Sequence, residues 1–303
     1  MFRIGKKLAG RLAFPVGCCE KVGKTTISEP ISVEDGTILD GRGLVVRVPG
    51  DVGGLVCSGR DVTIRNFVFE VEGNPTKHVL FFKDAERVTL ENVRVRGKIW
   101  NETAGICFLR GLDFKVRNCF VEGMRYGFIF STGVKTVEMR GCTALGCKTG
   151  TYVMGQDAEC EDVLIQDCRF IGPGGGSGEN GHDGILLERT RFAFLKNNRC
   201  YNNEEHGIYL SGSYEVQVQG NFCLWNGWNG IQGVLTKDNL IFGNFACFNG
   251  DNGIYLDRDS GSVCIRNRCL RNGRWGILRV SSDDTVLARN LVHGNKAGSY
   301  GQM

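Results

Sequence analysis

Asp183 and His206 carry the clearest suggestion of chemistry in the chain, because each immediately precedes a Gly-Ile pair, Gly184-Ile185 and Gly207-Ile208, in equivalent positions of a repeat. His182, Glu204 and Glu205 lie beside them. A carboxylate next to an imidazole can orient the ring and raise its basicity, giving a general base or acid near neutral pH. On a uronic-acid polymer such a base could take the proton α to the carboxyl group and start a β-elimination. Arg189 or Arg258 would then neutralise the sugar carboxylate and stabilise the enolate-like intermediate. The same residues leave a metal reading open, in which Ca²⁺ uses Asp183, Glu204 and Glu205 while a transition metal recruits His182 and His206. The third reading is a solvated turn whose charges replace the Asn, Gly and Trp of other repeats. Glycoside hydrolysis needs two carboxyl groups roughly 5 to 9.5 Å apart. Asp183 with Glu205 is admissible on that count, whereas Glu188 and Asp257 are expected about 14 Å apart, three repeats removed.

Two residues after each of these glycines a second column reads Tyr152, Leu186, Tyr209, Gln232, Tyr255, Leu278. On a strand these side chains point away from the flanking Ile and Leu. Tyrosines on an exposed sheet face can stack on sugar rings and bond to their hydroxyls, so Tyr152, Tyr209, Tyr255 and Gln232 are candidate substrate contacts. Glu188, Asp257 and Arg258 add charge along the same side, and Trp228 precedes the third Gly-Ile turn. The competing reading is that aromatic and aliphatic residues simply suit sheet surfaces.

The elements that must position these residues recur with a fixed period. Gly184, Gly207, Gly230, Gly253 and Gly276 are 23 residues apart. Asn198, Asn221, Asn244, Asn267 and Asn290 keep the same period, as do Asn203, Asn226, Asn249, Asn272 and Asn295. Gly150, Gly127 and Gly105 continue the series backward, and the 34-residue step from Gly150 to Gly184 marks one insertion, rich in glycine. Short β-rich runs joined by Gly/Asn turns cannot close a core singly, but stacked they bury a continuous one. The expected fold is all-β: a single-stranded parallel β-helix of about ten coils of 22–26 residues. Its expected parts are an N-terminal cap over 1–24 and a solenoid over 25–303, with an inserted loop at about 171–183. Asparagine at the repeated turn is expected to tolerate the left-handed backbone and to bond to its equivalent one coil away.

The unit from Asn221 through Asn226 to Gly230-Ile231 resembles the repeat of the right-handed parallel β-helix superfamily, and Thr37-Ile38-Leu39-Asp40-Gly41-Arg42-Gly43 resembles its opening strand. That group includes pectate-lyase-like enzymes, alginate lyases and epimerases, NosD-type carbohydrate-binding repeats and phage tailspikes. The resemblance implies right-handedness and a carbohydrate-active protein that binds an elongated polysaccharide, with a lyase or epimerase on uronate glycans as the leading expectation. The rivals are a glycoside hydrolase and a non-catalytic sugar-binding or structural module, since such scaffolds host many chemistries.

Composition agrees with this frame. The 303 residues include 44 glycines, about twice the usual ~7%, without a collagen period. Charge is +4 and spread along the chain with no basic block, and no apolar run reaches the ~20 residues of a membrane helix, so neither nucleic acid nor membrane is an expected partner. Arg11 and Pro15 interrupt any secretion-signal core. Cys119, Cys142 and Cys168 share one repeat position and Cys200, Cys223 and Cys269 another, where Ala246 replaces a fourth. Buried reduced thiols, and folding in a reducing compartment, are therefore expected. The stretch from Gly17 to Lys24-Thr25 fails phosphate-loop spacing, and His78 and His293 default to turn or packing roles. Gly298 to Met303 offers no capping element, so self-association or a further domain is expected.

Overall fold

A computed structural model describes residues 3–4, 23–73, 76–98, 102–173, 182–282 and 284–303. The chain is an all-β parallel solenoid of about 12 turns of roughly 23 residues, slightly more than the ten expected, with no helix among the described residues. Among the described residues no helix is therefore long and apolar enough to cross a membrane. Most of the expected cap over 1–24 and most of the inserted loop lie outside the described residues. Arg3–Ile4, however, forms a strand parallel to Ser32–Val33.

Each full coil crosses three sheets, with separate strands in the C-terminal half and with neighbouring strands run together in N-terminal coils, as in Ala104–Arg117. In one coil the strands are Ile208–Ser211 on the first sheet, Gln217–Gln219 on the second and Phe222–Leu224 on the third. Each pairs in parallel with its equivalent one coil on, as Ile208 with Ile231, Val218 with Ile241 and Cys223 with Ala246. The turn between second and third sheets needs a single residue in the left-handed region, supplied by Asn197 (φ 55°), Gly220 (φ 65°), Gly243 (φ 64°) and Arg266 (φ 55°). The ladder asparagines are their neighbours and face inward. The two tasks assigned to one asparagine are thus split between adjacent residues.

Inside, aromatic rungs fill the N-terminal coils, where Phe82, Phe108 and Phe130 stack at 4.7 and 5.1 Å. Toward the C-terminus Ile208, Ile231, Ile254 and Ile277 take over, all fully buried. The asparagine ladders close the turns. Asn221 Oδ1 accepts from Asn198 N–H at 2.9 Å and from its Nδ2 at 3.0 Å, while Asn221 Nδ2 donates to Leu195 O at 2.8 Å. Buried backbone groups at the turns must find such partners. Cys119, Cys142 and Cys168 stand in the same column as Asn198, and their thiols donate weakly along the same row: Cys142 Sγ to Val116 O at 3.4 Å, Cys168 Sγ to Met139 O at 3.8 Å. All twelve described cysteines are free and buried.

Candidate functional site

The tyrosine column falls in register on the outer face of the first sheet, with Tyr152 beside Leu186, Leu186 beside Tyr209, Tyr209 beside Gln232 and Gln232 beside Tyr255. All of them are half-buried. Along one edge of this face, where the chain arrives from the third sheet, stand Asp183 and His206. At the other edge, where it leaves for the second, stand Arg189 and Arg258.

Asp183 and His206 are one coil apart as expected, but both face inward, 2% and 1% exposed. Asp183 Oδ1 accepts the backbone N–H of His206 at 3.0 Å, and His206 Nδ1 accepts that of Asn229 at 3.2 Å. Asn229 Oδ1 then accepts from Asn252 N–H at 3.0 Å, and Asn252 Oδ1 from Trp275 N–H at 3.0 Å. The column is a third capping ladder. His78 occupies the same column and does the same for Ala104 N–H, at 3.0 Å. This corrects the expectation that the carboxylate raises the imidazole's basicity. Burial lowers the His206 pKa to about 3. A neutral ring that accepts at Nδ1 carries its proton on Nε2, with no lone pair left to take another.

Burial, with Glu205 nearby, pushes the Asp183 pKa well up. A carboxyl group whose folded pKa lies above its unfolded value loses stability as pH rises from the unfolded value through the folded one. Asp183→Asn keeps the acceptor that Asn229 and Asn252 use in the next rungs and removes the ionisation. Its thermal midpoint is expected to exceed the parent's at pH 8 and to converge with it near pH 4; a gap independent of pH would contradict the ladder role.

Ligand atoms of Asp183, Glu205 and His206 lie within 4.8 Å of one another. Glu204 is outside that group, though it helps burial raise the Glu205 pKa. One imidazole and two carboxylates suit a borderline divalent ion better than Ca²⁺, which takes six to eight oxygens.

Arg189 is not brought to His206. It lies across the sheet, exposed, donating to Gln156 O at 2.7 Å. Arg258 pairs with its neighbour Asp257 at 3.1 Å. Glu188 accepts from the Tyr152 hydroxyl and from Gln156 Nε2 at 2.9 Å. Burial first, then Glu188, raises the Tyr152 pKa, so the phenol keeps its proton. Trp228 is 51% exposed and meets the His206 ring edge-on at 5.4 Å, with Tyr209 at 5.2 Å on the same imidazole.

His182 heads a different arrangement. One residue ahead of the capping ladder, successive coils carry Thr103, Arg125, Lys148, His182 and Glu205. Of the buried side-chain polar atoms left without a partner, four cluster in these turns: Thr103 Oγ1, Arg125 Nε, Thr149 Oγ1 and His182 Nε2. Arg125 pairs with Glu102 at 2.9 Å and lies over the Tyr126 ring at 5.5 Å; that ring is 6.1 Å from Tyr152. Burial, then the charges of Arg125 and Lys148, lower the His182 pKa. Arg125, Tyr126, Lys148 and Gln156 are absent from the sequence-derived site. The column that yields His182 and Glu205 does extend back to Arg125 and Lys148, but Gly150-Thr151 and Gly127-Phe128 lack the Gly-Ile mark.

A parallel solenoid with one open, aromatic, charge-edged face defines the class of molecule. The chain belongs to the right handed beta helix family, whose pattern matches residues 53–178 and 178–301. Among solved structures it is similar to the periplasmic alginate epimerase AlgG, at 14% identity over 93% of this chain and 79% of that one, with a TM-score of 0.71. The A-module of the Azotobacter vinelandii mannuronan C-5 epimerase AlgE4 is 12% identical over 89% of this chain and 88% of that one, with a TM-score of 0.61. At such identities the likeness establishes the fold alone. No curated protein matches the chain in sequence.

Proposed function

We propose that this chain binds an acidic polysaccharide along its first sheet and moves the proton α to a uronate carboxyl group, as an epimerase or a β-eliminating lyase does. The observation that supports it is the pair of unsatisfied polar atoms at Arg125 and His182, one residue ahead of the capping ladder and beside the tyrosine face. Buried polar groups left unpaired are costly, and a sugar carboxylate would satisfy both at once. In this reading Arg125 neutralises the carboxylate, which acidifies the adjacent C–H. His182, held neutral by burial and neighbouring cations, takes that proton at Nε2. Tyr152 retains its own proton until a more basic centre develops. It then delivers that proton either to the opposite face of the carbanion, inverting the sugar, or to the leaving glycosidic oxygen as the C–O bond breaks. Alginate epimerases among the similar structures make a uronate polymer a reasonable first substrate.

The second reading, a binding module without turnover, is favoured by the locked state of Asp183 and His206. A hydrolase is less favoured, because Asp183 is 2% exposed and spent on backbone. Incubation with polymannuronate, polygalacturonate and a neutral glucan in D₂O separates these. Deuterium at the α carbon or ultraviolet absorbance from unsaturated ends is expected with the polyuronates alone. Reducing ends without unsaturation would replace the proposal with hydrolysis, and binding without either signal would leave the binding module.

A further inference from the structure

The outer face of the third sheet differs from the rest of the solenoid surface. From the strand Arg169–Ile171 to the strand Leu291–His293 its first outward column runs Arg169, Arg199, Phe222, Phe245, Arg268, Leu291. The second column, Ile171 to His293 by way of Tyr201, Leu224 and Leu270, is apolar or aromatic apart from its last residue, and neither column contains a carboxylate. Phe222 and Phe245 stack at 4.6 Å, and the Arg268 guanidinium lies over Phe245 at 5.0 Å. On the adjoining turn Trp225 and Phe248, 55% and 41% exposed, stack at 5.7 Å, with Arg271 over Phe248 at 5.9 Å.

Charge pairing marks the contrast. Several outward arginines of the N-terminal coils hold a carboxylate one coil away: Arg65 with Asp40 at 2.9 Å, Arg87 with Asp61 at 2.6 Å, Arg110 with Asp84 at 2.6 Å. Arg169, Arg199 and Arg268 have no ion-pair partner among the described residues. The face thus offers unneutralised cations flanking an apolar strip that runs for about 19 Å along the axis, four coil steps of about 4.8 Å.

We propose that this third-sheet face is a second binding surface for an acidic polysaccharide, lying along the solenoid axis with its carboxylates on Arg199 and Arg268 and its sugar C–H groups on the strip between them. The proposal rests on the reading that the ligand is an acidic glycan and adds a surface separate from the first sheet. Charge complementarity selects the polyanion. The ring arrangement selects sugar over nucleic acid, since rings already stacked on each other or covered by guanidinium present rims, and bases need free aromatic faces. A second copy presenting the same face would set arginine against arginine.

The test compares the full chain with Arg199→Ser/Arg268→Ser and, separately, with Arg125→Ser, measuring affinity for polymannuronate, polygalacturonate and oligo-dT at two salt concentrations. Matched thermal midpoints verify folding, which the exposure of Arg199 and Arg268 favours. The double variant is expected to lose about tenfold in polyuronate affinity and part of its salt dependence. Unchanged affinity in the double variant with loss in Arg125→Ser would overturn this surface and leave the first-sheet reading standing. Loss in the double variant alone would do the reverse. Oligo-dT bound more tightly than either polyuronate, and released by the double variant, would overturn the glycan assignment, and a parent chain that binds no polyuronate would overturn both.

Discussion

Asn244→Ala is expected to destabilise the chain by about 4–6 kcal/mol, more than truncation of any buried aliphatic residue at the ends of the solenoid. Asn244 Oδ1 accepts from the backbone N–H of Asn221 at 2.9 Å and from its Nδ2 at 3.0 Å, while Asn244 Nδ2 donates to Val218 O at 2.7 Å and Asn267 Oδ1 at 3.0 Å. The residue is fully buried, so water cannot replace these partners. Asn221 Nδ2 retains Leu195 O, but its backbone N–H is orphaned, at about 1–3 kcal/mol, and the remaining lost bonds contribute about 1 kcal/mol each. Asn290→Ala is the control. It stands on the last described rung, half-buried, with a coil on one side only, and is expected to cost about a third as much. Because solenoid stability is a sum over neighbours, the central substitution also weakens coupling between the two halves. Urea unfolding should therefore show a lower midpoint and a shallower slope for Asn244→Ala. A midpoint within experimental error of the parent would mean that the ladder does not hold the coils together.

The legibility of this architecture follows from what a fixed period can and cannot encode. A 23-residue spacing places Tyr209, Gln232 and Tyr255 in one outward column because strand alternation has a period of two and the register repeats. The same spacing places Asp183 under His206, but the turn between third and first sheets has no such alternation, so the inward direction of both side chains was invisible. The functional likeness of unlike residues was equally hidden. Cys142 and Asn198 share a column and donate to the same row of carbonyls, yet in the sequence they read as a small apolar residue and a polar turn residue. His78 and His206 share another column and cap in the same way, although one stands in an isolated segment and the other amid charge. Where a repeated residue type persists, as in the asparagines, structure is legible; where one job passes between residue types, only the register reveals it. Arg125 was missed for that reason, since its coil keeps the glycine of the repeat and changes everything around it.

His182→Ala is expected to lower turnover of a polyuronate by 10²- to 10⁴-fold, about the contribution of a positioned general base, with little change in thermal midpoint. Its Nε2 has no partner among the described residues, so removing the ring orphans nothing through that atom. Burial and the cations of Arg125 and Lys148 hold the His182 pKa below the ordinary 6.5, and a base must be neutral to act. The rate should therefore stay level through pH 7, falling only as pH drops below that ordinary value and through the lowered pKa. Added imidazole should restore part of the activity of His182→Ala, which a purely structural role would not permit. His206→Ala gives the opposite signature. Loss of its Nδ1 leaves Asn229 N–H unpaired in the interior, so the thermal midpoint falls while the pH profile of the folded fraction keeps its shape. If His206→Ala abolished turnover in folded protein and His182→Ala did not, the proton would be moving on the inner column, and the ladder would have to open during catalysis.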